Sequence, residues 1–321
     1  MNRMHTLALA AAALAAALPA AAQTYPTRPV RIVVPFAAGG PADIYARFVG
    51  QRLGEVFGQQ FVIENRPGAG SIIGTDIVAK SAADGYTLLM MSNTHTVNES
   101  LIPKKPFALM KDFVAVAPVN SSDLLLVTHP SVPVKTVKEL VALAKSRPGD
   151  INYASSGNGT PYHMAGELFR SMAGINIIHV PYKGSSEART AVMSGEVHLM
   201  IDAITTMAPI VKGGRVRALG TTGQKRSAIM PDVPTVSEAG VKGYEATIWL
   251  GIMAPANTPR AVVDRLNAEI VKVTGSPAVR EAWGGQGAVP MSMTPAEFEK
   301  FLQQDIAKWA DVVKKAGIKP N

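Results

Sequence analysis

Short β-branched runs alternate with amphipathic helical stretches along most of the chain, and this alternation restricts the fold more than any other property of the sequence. Val30 to Val34 precedes a helical stretch Ala42 to Phe57, Phe61 to Glu64 precedes Ile72 to Ser81, and Thr87 to Met91 leads into a loop. The rhythm resumes with Leu124 to Thr128, helix Val137 to Ser146, strand Ile151 to Ala154, helix Pro161 to Ala173 and strand Ile177 to Val180. It continues through helix Ser185 to Ser194, strand Val197 to Ile201, helix Thr205 to Lys212 and strand Val216 to Leu219. Strand, helix, strand is the grammar of the βαβ unit, so the expected class is α/β, with mostly parallel sheets flanked by helices. A last strand near Ala246 to Ala254 precedes three helices, Pro259 to Thr274, Ala278 to Trp283 and Pro295 to Ala316, with no strands between them. The last carries Phe298, Phe301, Leu302 and Trp309 as a stripe, which reads as packing on the first lobe.

Arg3 and His5 precede a short Ala/Leu run, Leu7 to Leu18, that ends in Pro19-Ala20-Ala21-Ala22-Gln23. This is the pattern of a secretory signal peptide over residues 1–22, cleaved near Ala22, and its apolar run is shorter than the roughly 20 residues of a membrane-spanning helix. Without a cysteine anywhere there is no lipobox thiol, disulfide framework or thiolate chemistry. A freely soluble, exported, monomeric protein with no stable membrane insertion is expected. The remaining chain, about 300 residues, exceeds what one core usually holds. Two lobes are expected, residues 23–122 with 248–321 and residues 123–247. The chain then crosses between them near 117–124 and 244–248, which makes a hinge and a cleft. The formal charge of +8 is scattered, with nothing longer than pairs such as Lys104-Lys105, so no nucleic-acid stripe is present.

Open α/β sheets bind ligands at the carboxyl ends of their strands, and five places there carry unusual chemistry. Tyr153 to His163, YASSGNGTPYH, reads as a strand end, a turn-forming loop and a helix with Thr160 as N-cap and Pro161 at the first position. Free N–H groups and the helix dipole there favour a carboxylate or phosphate, with Ser155, Ser156, Gly157, Thr160 and His163 around the same point; an ordinary capped helix has the same letters. Phe36, Ala37, Ala38, Gly39 and Gly40 form a loop without bulky polar side chains, so its contacts to a ligand would be backbone groups and water. It matches neither GxGxxG nor GxxxxGK, which excludes dinucleotide and nucleoside-triphosphate sites. Ser92, Asn93 and Thr94, with His95, make a polar cluster at a strand end or a plain polar turn. Pro181 to Ser185 brings a Lys and a Tyr to a second helix start, as pocket wall or solvated rim. Asp202 ends an apolar strand; it can accept from a ligand, orient His163 or cap the next helix, the last being the plainest role.

The chain also resembles the Bug receptor family, the TctC-type periplasmic solute-binding proteins of tripartite tricarboxylate transporters. The matching segments are YPTRPVRIVVPFAAGGPADIYAR, ENRPGAG, DGYTLL, KDFVAVAPV, INYASSGNGTPYHMAGELF, HVPYKGSSEA, GEVHLMID, VRALGTTGQKRSAIMPDVPTVSEAG and WLGIMAPANTP, in order. The resemblance implies a two-lobed Venus-flytrap fold closing on one small organic acid, without catalysis and without a cofactor. It also implies a periplasmic location and transfer of the ligand to membrane transporter subunits of the tripartite tricarboxylate type. In that family the loop after the first strand and the helix start of the second lobe hold carboxylates, here Phe36 to Gly40 and Ser155, Ser156, Gly157, Thr160 and His163. Ala37-Ala38 stand where the family often has proline or another residue after the Phe. The ligand is narrowed to a di- or tricarboxylate or another carboxylated molecule, aromatic acids such as terephthalate or phthalate included.

A receptor presenting its bound form to a signalling protein is the alternative of another class, and a hydrolase is the remote one. Ser155 or Ser156 with His163 and Asp202 supplies the letters of a triad, but no GxSxG elbow exists. The histidines at 129, 163, 179 and 198 are dispersed and HExxH is absent, so no metal site is expected.

Overall fold

The computed structural model describes residues 25–315, 317 and 318. The signal peptide expected at residues 1–22 lies outside them. The first part of the chain runs β1 (Val30–Val34), α1 (Pro41–Phe57), β2 (Phe61–Asn65), α2 (Ile72–Ala79), β3 (Thr87–Ser92), α3 (Asn93–Leu101), α4 (Leu109–Asp112) and β4 (Phe113–Thr128). The middle runs α5 (Val137–Ser146), β5 (Asn152–Ser155), α6 (Pro161–Ala173), β6 (Ile178–Pro181), α7 (Ser185–Ser194), β7 (Leu199–Ala203), α8 (Ile204–Lys212) and β8 (Arg217–Thr221). The last part runs β9 (Thr247–Pro255), α9 (Arg260–Thr274), α10 (Pro277–Gly284), β10 (Ala288–Pro290) and α11 (Pro295–Lys315).

The strands lie in the order β2-β1-β3-β9-β4-β7-β5-β6, with β8 and β10 also paired to β4. Within β2-β1-β3 and β7-β5-β6 every pairing is parallel, as alternating strands and helices require. The two parallel groups are joined by antiparallel pairings through β9 and β4. β4 spans 16 residues and belongs to both halves: Phe113 to Asp123 lies beside β9, and Leu124 to Thr128 beside β7 and β8. Two register shifts interrupt its first half, one between Ala115 and Ala117 and one between Pro118 and Asn120, where Pro118 has no N–H to give to a ladder. The stretch read from sequence as a crossing segment is thus the interior of one long strand.

α1 faces the sheet with Tyr45, Ala46, Val49 and Leu53, all buried, and burial of each branched aliphatic chain is worth about 2 kcal/mol. The three C-terminal helices return to the first lobe as expected. Phe298 and Leu302 of α11 share a core with Trp249 of β9, and Trp249 meets Phe298 and Phe301 edge-on at 5.9 and 5.2 Å. A Cβ at Gly251 would lie 2.4 Å from the Phe298 ring, so that close contact of strand and helix needs a glycine.

Two expectations are corrected. The residues after β3 form helix α3, not a loop: Ser92 accepts from the Thr94 N–H at 3.2 Å, and its own N–H donates to His95 Nδ1 at 3.2 Å. That reciprocal capping box uses histidine where Glu or Gln is usual, in a run of weak helix formers. The short strand β10 also lies between α10 and α11, paired antiparallel with Asn120 to Ser122 of β4.

Candidate functional site

The loop after β1 is held by its own neighbours. Gly39, at φ +78°, donates its N–H to Asp43 Oδ2 at 3.0 Å, and Asn65 Nδ2 donates to Phe36 O at 3.1 Å. Asp43, in the first turn of α1, in turn pairs with Arg47 at 2.9 Å, so it orders the loop. Across the cleft stands the start of α7. Its cap residue Gly184 has no side chain, and a Cβ there would lie 2.5 Å from Ala37 Cβ. Ser186 Oγ donates to Ala38 O at 3.2 Å and Arg189 Nη2 to Gly39 O at 2.9 Å, so the two lobes are in contact and the cleft is closed.

Two adjoining pockets, both partly open to solvent, remain between the lobes. One, of about 30 Å³, lies between Phe36, Ala37 and Gly40 of the first lobe, Ser92 of β3, and Ser156 and Tyr162 of the second. The other, of about 480 Å³, is walled by Phe36 and Pro67 to Ser71 on one side and by Ser156, Gly157 and Thr160 on the other. Phe36, Ser156 and Lys183 line both, and among the described residues Lys183 is the single charged side chain in either wall. A broader groove of about 880 Å³ lies elsewhere, beneath α5, and none of the strand-end loops discussed above lines it.

The loop Pro67 to Ser71 was not singled out by its side chains, since it offers a ligand mainly backbone. Its mark is conformational: Ala69 and Ser71 sit at φ +47° and +79°, unusual for residues with a Cβ, and Gly70 is left-handed between them. Asn98 of α3 steadies it by donating to Gly70 O at 2.8 Å. The amide oxygen of Asn98 is buried without a partner among the described residues and faces Gly159, where a Cβ would lie 2.6 Å away.

Residues singled out from sequence divide into those at the cavities and those engaged elsewhere. Phe36, Ala37, Gly40, Ser92, Ser156, Gly157 and Thr160 line one cavity or the other, while Ala38 and Gly39 carry the contacts between lobes. Asn93, Thr94, Ser155, His163 and Asp202 line neither. Asn93 Nδ2 donates to Thr247 O at 2.9 Å, and Thr94 Oγ1 accepts from Ser92 Oγ at 3.0 Å. Ser155 Oγ lies 2.6 Å from His179 Nε2. Burial and the adjacent His163 push His179 down to about 3, so its imidazole is neutral. His163 accepts the Gly159 N–H on Nδ1 at 3.1 Å and stacks on His179 at 4.1 Å, and its burial also lowers its pKa.

The cap at α6 forms as the sequence indicated and occupies most, not all, of the donors at the helix start. Pro161 has no N–H, His163 N–H goes to Thr160 Oγ1 at 3.4 Å, and Met164 N–H goes to Thr160 O at 3.0 Å. The Thr160 hydroxyl proton is committed to Gly157 O at 2.7 Å. Two helix starts at the cleft have no side-chain cap, that of α1 at Gly40 and that of α7 at Gly184, the latter next to Lys183. Asp202 is fully buried against Arg189 at 3.0 Å and Ser185 at 2.7 Å, so it neither orients His163 nor completes a serine-histidine-aspartate triad. Among the described residues no group of three or more His, Asp or Glu side chains is placed to hold a metal ion.

Residues 45–318 match the model of the tripartite tricarboxylate transporter family receptor. Protein BugT of Bordetella pertussis is 39% identical over 305 residues, covering 94% of this chain and 94% of that protein. Among solved structures, R. palustris Rpa4515 with adipate superposes with a TM-score of 0.90 at 36% identity, covering 92% of this chain and 100% of that one. MatC from Rhodopseudomonas palustris, with bound malate, gives a TM-score of 0.86 at 32% identity, over 90% of this chain and 100% of that one. The matched family is one of receptors, and two of the similar solved structures hold adipate and malate, which marks the chain as a binding receptor and not an enzyme. The chain belongs to the TctC family of receptors of tripartite tricarboxylate transporters.

Proposed function

We propose that this protein captures a small dicarboxylate in the cleft by lobe closure and delivers it to membrane subunits of a tripartite tricarboxylate-type transporter. The observation that carries the reading is the pocket of about 480 Å³ between Pro67 to Ser71 and Ser156 to Thr160, within the usual size of small-molecule sites. Its walls supply backbone groups, hydroxyls and one cation, Lys183, which suits an anion whose charge is met mostly by neutral donors. One carboxylate docks at Ser156, Lys183 and the uncapped start of α7; the other meets the backbone of Phe36 and of Gly68 to Ser71. The bound adipate and malate of two relatives are both dicarboxylates, which favours that class over a monocarboxylate. Residues 23–122 with 248–321 and residues 123–247 act as the moving bodies, with the bulged part of β4 and residues 244–248 as hinge. The mature protein starts near Gln23, acts in the periplasm and is a monomer.

A thermal-shift screen over mono-, di- and tricarboxylates, aliphatic and aromatic, tests this. Binding only to the native state must stabilise it, by about 2.7 kcal/mol at a hundredfold excess over Kd, so a dicarboxylate is expected to raise Tm by several degrees. A screen in which no acid raises Tm refutes the receptor reading. A response to monocarboxylates alone refutes the dicarboxylate assignment.

A further inference from the structure

Arg189 is a buried cation that reaches across the cleft. Its side chain is 11% exposed and its partner Asp202 is fully buried. Nη1 donates to Asp202 Oδ2 at 3.0 Å and to Ser185 Oγ at 3.1 Å, while Nη2 donates to Gly39 O at 2.9 Å and to Ser186 Oγ at 3.2 Å. These bonds fix the hydroxyl directions in the first turn of α7. Having accepted from Arg189, Ser185 Oγ gives its proton to Asp202 Oδ1 at 2.7 Å, and Ser186 Oγ gives its proton to Ala38 O at 3.2 Å. The Ala203 N–H completes Asp202 Oδ1 at 2.9 Å. Only a planar fork of donors serves a carboxylate, two hydroxyls and a carbonyl together; an ammonium on a flexible stem does not.

Two of the acceptors, Ala38 O and Gly39 O, belong to the first lobe, and every donor belongs to α7 of the second. The Gly39 peptide is held from both sides, its N–H by Asp43 and its carbonyl by Arg189. Neither cross-cleft bond involves a ligand atom. Opening breaks both, yet leaves the guanidinium paired with Asp202 and therefore never buried without a counter-charge.

We infer that Arg189 is a positioning residue: it holds the Ala38-Gly39 stretch of the β1 loop against the second lobe, so that closure has a component independent of ligand and bound ligand leaves slowly. The inference rests on the receptor reading for its meaning, but its decisive test needs no ligand. Because the chain has no cysteine, Lys145→Cys and Lys272→Cys introduce a single pair of spin labels, one on each lobe. Pulsed electron-resonance distances in the unliganded protein are expected to include a closed population. Arg189→Leu should shift this population to the longer, open distance. Arg189→Lys, which keeps a charge beside Asp202, and Ser186→Ala, which leaves the buried pair intact, should shift it in the same direction and by less. These two also serve if Arg189→Leu does not fold. With adipate as the probe, Arg189→Leu should dissociate about tenfold faster with a much smaller change in association rate, the scale of one charge-assisted hydrogen bond. An unliganded wild type showing only the open distance overturns the inference, as do Arg189→Lys and Ser186→Ala distributions that superpose on wild type. Failure of adipate to bind bears on the proposed ligand and leaves the distance result standing.

Discussion

Thr160 shows how far a single residue can be read from its neighbours. Thr-Pro ahead of an apolar-periodic stretch predicts an N-cap, and the side chain accepts from His163 N–H as that rule requires. The expectation that its hydroxyl also serves a ligand does not follow, because Gly157 O takes the only proton. Thr160→Val is therefore expected to cost about 1 kcal/mol of unfolding free energy, the usual value of a lost cap, measured as a lower urea midpoint. A binding defect without a stability defect would restore the hydroxyl as a ligand donor. Asp202 was legible only as an oddity. Its partner Arg189 lies 13 residues away on another element, and nothing local pairs them.

At the scale of elements, α6 lies so close to β5 that backbone meets ring. A Cβ at Gly166 would lie 2.2 Å from Tyr153, whose hydroxyl donates to Glu167 at 2.8 Å and is thereby fixed in place. Gly166→Ala sets helix propensity against packing: the alanine gains up to about 1 kcal/mol in an isolated helix, whereas overpacking a filled core costs about 1 to 3 kcal/mol. Packing should win, and the urea midpoint should fall; a stabilised variant would show that α6 has room to move outward. Strand and helix positions were readable because apolar period and turn residues are local properties. α3 was not, since Asn-Thr-His-Thr offers weak helix formers and its stability comes from burial of Val97 and Leu101 and from the Ser92-His95 box. Of β4 only Leu124 to Thr128 was read as a strand, and 117–124 as a crossing between lobes; the neighbouring β9 and β10 are what carry the ladder past Pro118 and Asn120.

Acid stability is a property of the whole molecule, because neutral buried imidazoles occur in both halves. Burial pushes His95 down to about 4, and burial together with His163 pushes His179 down to about 3. The unfolded chain protonates these rings near pH 6.5 while the folded protein does not, so the unfolded state binds more protons below that pH. Their contribution is complete above about pH 6.5 and is lost as pH falls toward 4 and 3. Between pH 7 and pH 5 the unfolding free energy should drop by on the order of 2 kcal/mol from His95 alone, read from urea titrations at the two pH values. Equal midpoints at pH 7 and pH 5 would mean that these imidazoles are charged or hydrated in the native state.

By itself the sequence determined the order of most strands and helices and the loops at the strand ends, because period, capping and turn chemistry act over a few residues, and its matching segments marked the receptor family. The tertiary structure decided which polar groups remain for a ligand. Ser155 is turned to His179 and Asp202 to Arg189, and His163 is occupied by Gly159 and by stacking. Lys183 and the backbone of Gly68 to Ser71 are left at the cavity. A hydrogen bond saturates, so a donor's availability depends on whichever partner the fold brings nearest, and for most of these groups that partner is distant in sequence.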